Sequence, residues 1–247
     1  MDKHLLLSDD MIFYTVEGEG RLIGYPSVFM RLSLCNLTCI GFKSESSPYG
    51  CDSYISWSVK NKRSFDEIFK LLEDGGLIDK LYNGAVFKLT GGEPLIQQNN
   101  LLSFIKEFVT KYEFAPRIDF ETNGTIMPDP QWIEVFNATF TTSPKLSNNG
   151  DPAERRYKPE VLQFHAANNS CFKFVVSNDE NIKEIFSNYI DHKDIKLPRS
   201  LVWLMPCCGS RDEQTKAISW VADKCKEHNF KLSPRLHLMI WDKALKV

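Results

Sequence analysis

The 247-residue chain has no apolar run approaching the ~18 residues of a spanning helix, so no transmembrane helix is expected. It has no surplus of charge of one sign. Thirty Lys and Arg face thirty-two Asp and Glu, a net charge of -2, which offers no global field to draw nucleic acid or an acidic membrane. There is no internal repeat, low-complexity stretch or long linker. That excludes a solenoid or beads on a string, and the length suits one α/β domain over residues 1–247. The segment from Asn148 to Pro159 is the weakest place for a boundary. The first ten residues hold only the apolar trio Leu5, Leu6 and Leu7 ahead of Asp9 and Asp10, too little for a secretory leader. A cytoplasmic protein is expected. The one basic knot, Arg155, Arg156 and Lys158 between Pro152 and Pro159, reads as a solvated loop rather than a phosphate contact.

What is present is an ordinary globular balance, 43% apolar and 25% charged, with seven cysteines. In a reducing compartment an odd number of cysteines reads as metal ligands, reactive thiols or core residues rather than disulfides. Strand-like runs at Ser27 to Leu34, Ala85 to Thr90, Arg117 to Thr122, Ala138 to Thr142, Cys171 to Val176, Leu201 to Met205 and Leu236 to Ile240 alternate with helical spacing. Ser64 and Glu67 have the form of a capping box, opening a helix with Ile68, Leu71 and Leu72 on one face and Gly75-Gly76 to stop it. Leu101, Leu102, Ile105 and Phe108 form a second such stripe, and Ile218, Val221, Ala222 and Cys225 a third. Repeated β-α units predict a mainly parallel sheet with helices outside it, and ligands bind such sheets beyond the carboxyl ends of the strands.

Five motifs fall where strands should end: Cys35, Thr90-Gly91-Gly92-Glu93-Pro94, Glu121-Thr122-Asn123-Gly124, Ser143-Pro144-Lys145 and Met205-Pro206-Cys207-Cys208-Gly209. Cys35, Cys39 and Cys51 make a trio with gaps of three and eleven residues. Three thiolates are one short of the four that a 4Fe-4S cluster takes from protein, which would leave one iron open to a small molecule. By spacing alone the trio also suits zinc with a fourth ligand, or buried thiols. The glycine pair about forty residues after Cys51 weights the reading toward a cluster. Two glycines permit a sharp turn and close backbone approach to a ligand, and Glu93 can accept from a cationic amino group. Cys207 and Cys208, being adjacent, point apart and do not suggest a second cluster. Cys171 and Cys225 read as packing residues on strand and helix core faces.

As an ordered set these motifs, with Phe13 to Gly20 placed before the first strand, Pro26 to Leu32 leading into Cys35-Asn36-Leu37, Cys51-Asp52-Ser53 and Ser210-Arg211-Asp212, resemble the 7-carboxy-7-deazaguanine synthase family of radical S-adenosylmethionine enzymes from about residue 11 to residue 240. The resemblance implies a single-domain α/β partial barrel of (β/α)6 type with an expanded cluster-binding loop at residues 35–53. It also implies a 4Fe-4S cluster whose open iron is chelated by S-adenosylmethionine, which is cleaved to a 5′-deoxyadenosyl radical. That radical takes hydrogen from C6 of 6-carboxy-5,6,7,8-tetrahydropterin, and a Mg2+-assisted ring contraction with loss of ammonia follows, on the route to queuosine and related 7-deazapurines. The implied partners are the pterin, an electron donor such as flavodoxin or ferredoxin, and a second copy in a homodimer; neither nucleic acid nor a membrane is among them.

By the same resemblance Cys35, Cys39 and Cys51 match the cluster ligands, and Gly91, Gly92 and Glu93 the turn that holds the methionyl amino group. Gly50, Asp52, Glu121, Asn123, Ser143, Lys145, Met205, Pro206, Cys207 and Cys208 fall among the remaining S-adenosylmethionine contacts. Val16, Glu17 and Gly18 match a loop that reads the pterin, with Thr90 beside it. Arg31 matches the arginine that meets the substrate carboxylate, a task suited to a planar fork of donors. His237, with Arg235 near it, lies on an expected strand approaching the substrate. Ser53 stands where the family has a hydroxyl on magnesium, a cation that favours hard oxygen ligands.

The chain departs from the commoner pattern in four places. The second cysteine gap is eleven residues where the family usually has two. Gly50 stands where an aromatic residue often packs near the adenine, with Tyr49 one place earlier as a substitute. Glu17 replaces a glutamine, and Ser53 a threonine. A radical activase acting on a glycine of a partner protein is the nearest alternative, and a zinc-stabilised binding module is a different class altogether.

Overall fold

Alternation along each strand decides which face of the sheet meets the helices. The protein is described by a computed structural model covering residues 3–244 other than positions 44 and 46. The first two residues and two positions of the long loop ahead of Cys51 therefore lie outside the described residues. The strands are β1 (His4–Val16), β2 (Pro26–Leu32), β3 (Asn61–Ser64), β4 (Val86–Gly91), β5 (Arg117–Thr122), β6 (Thr139–Thr142), β7 (Cys171–Val176), β8 (Val202–Pro206) and β9 (Lys231–Leu232). Among the described residues they form one sheet in the order β3-β1-β2-β4-β5-β6-β7-β8-β9. From β2 onward every pairing is parallel, while β1 lies antiparallel to both β2 and β3. This is the parallel-rich α/β arrangement expected, an open sheet with β3 and β9 at its edges.

Ten helices accompany the described strands: α1 (Tyr54–Ser58), α2 (Phe65–Asp74), α3 (Leu77–Tyr82), α4 (Gln98–Tyr112), α5 (Gln131–Glu134), α6 (Ala153–Arg156), α7 (Pro159–Ala167), α8 (Asp179–Ile185), α9 (Arg211–His228) and α10 (Leu236–Trp241). None is long and apolar enough to cross a membrane. The Ser64 and Glu67 capping box forms in full at α2, a contribution of about 1 kcal/mol. One row of each strand packs on the helices. Phe87, Leu89, Ile118 and Phe120 meet Leu101, Phe104, Ile105 and Phe108 of α4 in one cluster, and Phe172, Phe174, Val202 and Leu204 meet Ile182, Ile185 and Val221 in a second. Each such side chain adds about 1.5–3 kcal/mol on burial. The alternate row is polar and also buried: Lys88, Asp119, Thr141 and Lys173 are at most 1% exposed. The sheet thus has a greasy outside and a charged inside.

Three sequence expectations change. The first strand is β1, which takes in Phe13 to Val16; its register is irregular between Leu7 and Ile12, across Asp9 and Asp10, which hides the strand pattern. The run Leu236 to Ile240 is helix α10, not a strand: its start is fixed by Leu236 N–H donating to Gly18 C=O, and only Leu238 of its residues is buried. The basic knot is not a solvated loop throughout. Arg156 is buried, pairs with Glu184 at 2.9 Å and donates to the carbonyls of Lys145 and Asp151. Cys171 and Cys225 are core residues, as expected.

Candidate active site

The two glycines of the turn after β4 bring it against the cysteine loop. A Cβ on Gly91 would lie 2.0 Å from Leu32 C=O, and one on Gly92 2.0 Å from Leu34 C=O and 3.0 Å from Cys35 Cβ. Gly92 N–H donates to Leu32 C=O at 3.1 Å and Glu93 N–H to Leu34 C=O at 2.8 Å. The close approach permitted by glycine is therefore made to the chain that presents Cys35.

Glu93 is fully buried. Its carboxylate accepts from Leu95 N–H (3.1 Å), the Thr122 hydroxyl (2.9 Å) and Asn123 N–H (2.7 Å). Burial pushes it up to about 7 in spite of those donors. In place of an open carboxylate, it is a pin between the turns after β4 and β5. Asn123 extends the pin, donating to Asn36 Oδ1 at 2.9 Å and accepting from Thr125 N–H and Oγ1. Ser143 N–H bonds Thr122 C=O at 2.7 Å, and Lys145 Nζ donates to both the carbonyl and the hydroxyl of Ser143 at 2.9 Å. From there the ammonium acts on Cys35, Cys39 and Glu93, favouring their ionised forms.

Cys39 lies within electrostatic reach of both Cys35 and Cys51. Burial pushes Cys35 up to about 11 and Cys51 up to about 12, and raises Cys39. Among the described residues no three histidine, cysteine or acidic side chains converge as around a single ion. A single ion gathers its donors about 2.3 Å from one point, whereas a four-iron cluster is wider and takes one thiolate per iron. The donor chemistry fits such a cluster: three protonated thiols that a metal could deprotonate, Cys39 within electrostatic reach of the other two, and a lysine cation acting on Cys35 and Cys39.

Sequence reasoning missed what holds these cysteines. Asp151 accepts from Cys39 N–H (2.9 Å), Thr38 N–H and Thr38 Oγ1, clamping a turn in which Cys39 has φ +52°. Asn149 Nδ2 donates to Asp151 (2.9 Å) and reaches Cys39 Sγ at 3.6 Å. The segment read as the weakest place for a boundary thus helps build the site. Trp57 of α1 donates its indole N–H to Cys51 Sγ at 3.4 Å. Tyr49 stacks on Tyr54, which meets the Trp57 ring edge-on, and Gly50 is buried against Cys39 and Ile40. Asp151 and Asn149 lie more than a hundred residues from the cysteine they hold, whereas a tryptophan six residues past Cys51 on a helix was a readable signal.

Inside the sheet, Lys88 pairs with Glu17 at 2.8 Å and Asp119 at 2.7 Å. Lys173 pairs with Glu19 and Glu121, and Thr90 donates to Glu121 at 3.3 Å. Burial raises Glu17 against the pull of Lys88. Glu19 and Glu121 are half-buried; desolvation would raise them, but Lys173, joined by Arg235 at Glu19 and by Lys88 at Glu121, outweighs it and both sit below the usual carboxylate range. Arg235 binds Glu19 (2.9 Å), Asp52 (2.5 Å) and Cys208 C=O, so the loop after β1, the cluster loop and the turn after β8 meet on one guanidinium. In that last turn Met205 and Pro206 are buried, and Cys207 N–H bonds Val176 C=O. His237 packs on Gly18, where a Cβ would lie 2.3 Å from its Nδ1; burial lowers its pKa, keeping it neutral. Val16 ends β1 beside this loop. Arg31 lies over the Phe13 ring, 5.4 Å from its centroid, and its Nε is buried with no hydrogen-bond partner among the described residues. Ser53 Oγ donates to Asp52 Oδ1 at 3.2 Å.

No family model matches the chain. It is 30% identical over 236 residues to the 7-carboxy-7-deazaguanine synthase of Pyrobaculum aerophilum, covering 94% of each chain. It is 29% identical to the synthase of the same name from Hyperthermus butylicus, over 93% of this chain and 90% of that one, and 26% identical to that of Aquifex aeolicus, over 94% and 92%. The crystal structure of QueE from Escherichia coli superposes with a TM-score of 0.65 over 95% of both chains at 21% identity, which is a likeness of fold.

Proposed function

The chain belongs to the 7-carboxy-7-deazaguanine synthase family, and from that premise we propose that it converts 6-carboxy-5,6,7,8-tetrahydropterin to 7-carboxy-7-deazaguanine with loss of ammonia, using a 4Fe-4S cluster, S-adenosylmethionine and Mg2+. It is a radical S-adenosylmethionine enzyme of the lyase class. The observation that most supports the specific reading is the interlock of three turns. The Thr90 to Glu93 turn is bonded to the backbone presenting Cys35, and Glu93 and Asn123 tie the turn after β5 to both.

In this reading Cys35, Cys39 and Cys51 hold the cluster, which with S-adenosylmethionine supplies one-electron radical chemistry when bound. The protein's own residues orient and shield. Because the Glu93 carboxylate is engaged by three protein donors, the backbone of the Gly91 to Glu93 turn is what remains to receive the methionyl amino group. Asp52, Glu121, Asn123, Ser143, Lys145 and the Met205 to Cys208 turn surround the rest of that cofactor. Val16, Glu17, Gly18 and Thr90 face the pterin. Lys88 pairs with Glu17, so the carboxylate that stands in place of the glutamine amide has a cation beside it, shared with Asp119. The unpartnered Nε of Arg31 leaves a guanidinium free to take the substrate carboxylate. His237, neutral and packed on Gly18, shapes the pterin side, and Ser53 offers its hydroxyl to magnesium. A flavodoxin- or ferredoxin-type electron donor and a homodimeric assembly belong to the same reading.

The test is mass spectrometry of an anaerobic reaction containing reconstituted protein, S-adenosylmethionine, dithionite, Mg2+ and the carboxypterin. Appearance of 7-carboxy-7-deazaguanine with 5′-deoxyadenosine is expected. Deoxyadenosine without the deazaguanine would refute the substrate, and neither product from cluster-loaded protein would refute the reaction.

A further inference from the structure

Two side chains aim N–H groups at the sulfurs of the cysteine trio. Trp57 Nε1 stands 3.4 Å from Cys51 Sγ, and Asn149 Nδ2 stands 3.6 Å from Cys39 Sγ. Both are held from behind. Tyr54 packs edge-on against the Trp57 ring at 5.1 Å, with Tyr49 stacked on Tyr54 at 5.1 Å. Trp57 N–H bonds Ser53 C=O and Trp57 C=O accepts from Leu34 N–H, so the residue is tied to both ends of the cysteine loop. Asn149 is fully buried, and its amide bonds Asp151, the residue that also clamps Cys39. The third thiol, Cys35, has a backbone donor in Leu37. Each sulfur therefore has a donor, and for two of them the donor is a side chain that can be exchanged.

We propose that Trp57 and Asn149 are positioning residues that set the reduction potential of the iron-sulfur cluster, by donating N–H groups to the Sγ atoms of Cys51 and Cys39. The inference rests on the functional reading above. Reduction moves one electron from an external low-potential donor, which is oxidised, to the cluster; no bond forms or breaks. The added negative charge is shared with the thiolate sulfurs, and an N–H dipole aimed at a sulfur stabilises the reduced form more than the oxidised one. The two residues thus make the cluster easier to reduce.

An anaerobic redox titration followed by electron paramagnetic resonance tests this on reconstituted wild type, Trp57→Phe, Asn149→Ser and a control, Tyr54→Leu, which loosens the aromatic stack but keeps the indole N–H. Trp57→Phe and Asn149→Ser should load iron to the wild-type level. At the wild-type midpoint each should show an about tenfold lower ratio of reduced to oxidised cluster, a shift of about 59 mV to more negative potential for one electron. The control should titrate with wild type. Midpoints unmoved in Trp57→Phe would overturn the proposal even if Asn149→Ser fails to fold, and so would a shift in Tyr54→Leu equal to that of Trp57→Phe. Wild-type protein that forms no cluster would instead refute the reading on which the proposal rests.

Discussion

Arg235 donates to Asp52 Oδ2 at 2.5 Å across 183 residues of chain, tying the segment ahead of the last helix to the residue that follows Cys51. The same guanidinium holds Glu19 at 2.9 Å. Asp52 is about half exposed; the partial loss of water around it would raise its carboxyl, but the Arg235 guanidinium, with Arg31 farther off, holds it below the usual range, and the pair is charged at neutral pH.

Breaking that pair should free the cluster loop without unfolding the sheet. In cluster-free protein, hydrogen exchange of the amides from Cys51 to Trp57 is expected to quicken several-fold in Arg235→Gln and in Asp52→Asn, with the double variant no faster than either, as for two ends of one interaction. Unchanged exchange at those amides, or effects that simply add, would show that the pair does not anchor the loop.

Lys88 is 1% exposed between two buried carboxylates. Lys88→Met leaves Glu17 and Asp119 without their counter-charge and should cost about 3–5 kcal/mol in denaturant unfolding. Glu17→Gln, which leaves Asp119 to neutralise Lys88, should cost far less. Equal losses would mean that the charges are not coupled.

Glu93 is raised to about 7 by burial, so from the ordinary carboxyl range up to that value the folded protein keeps a proton that the unfolded chain has released. With more protons bound in the folded state, stability falls as pH rises, and this contribution is lost as pH passes through about 7. Glu93→Gln removes the titration while losing an acceptor for Asn123 N–H. The variant should be less stable at pH 5, and the gap in Tm between it and wild type should narrow toward pH 8. A gap independent of pH would place the titration elsewhere.

Arg31→Ala should lower kcat/KM for the carboxypterin by about ten- to a hundredfold, the worth of hydrogen bonds to a charged group. Iron content should stay unchanged, since Arg31 binds none of the cysteines. Steady-state kinetics beside an iron assay checks both, and normal turnover would remove the carboxylate role.

Ser53→Ala should raise the Mg2+ concentration needed for half-maximal turnover. A magnesium titration identical to that of wild type would take Ser53 out of the metal's surroundings.

The strands β5 and β7 and the capping box at Ser64 were legible because each is a local pattern: a short β-branched or aromatic run, or a hydroxyl three residues before a glutamate. The gathering of the cysteine, Thr90 to Glu93, Asn123 and Lys145 turns at one end of the sheet was legible for a related reason. Parallel strands joined by helices all point the same way, so residues following them arrive at one edge. What local pattern could not reveal were the long-range partners. Nothing near Leu236 marks it as the start of a helix, because the bond that fixes it comes from Gly18. Lys88 and Lys173 look like misplaced charges in apolar strands until Asp119, Glu17, Glu19 and Glu121 close around them.

By itself, then, the sequence determined the α/β class, the order of the motifs and the family, since all three are written in residue type and spacing. Only the tertiary structure decided that Glu93 is a buried pin, that Asn149 and Asp151 brace the cysteine loop, and that Arg235 joins three loops. The physical reason is desolvation: a charge or amide taken out of water must find a partner, and which partner it finds depends on distances in space that spacing along the chain does not encode.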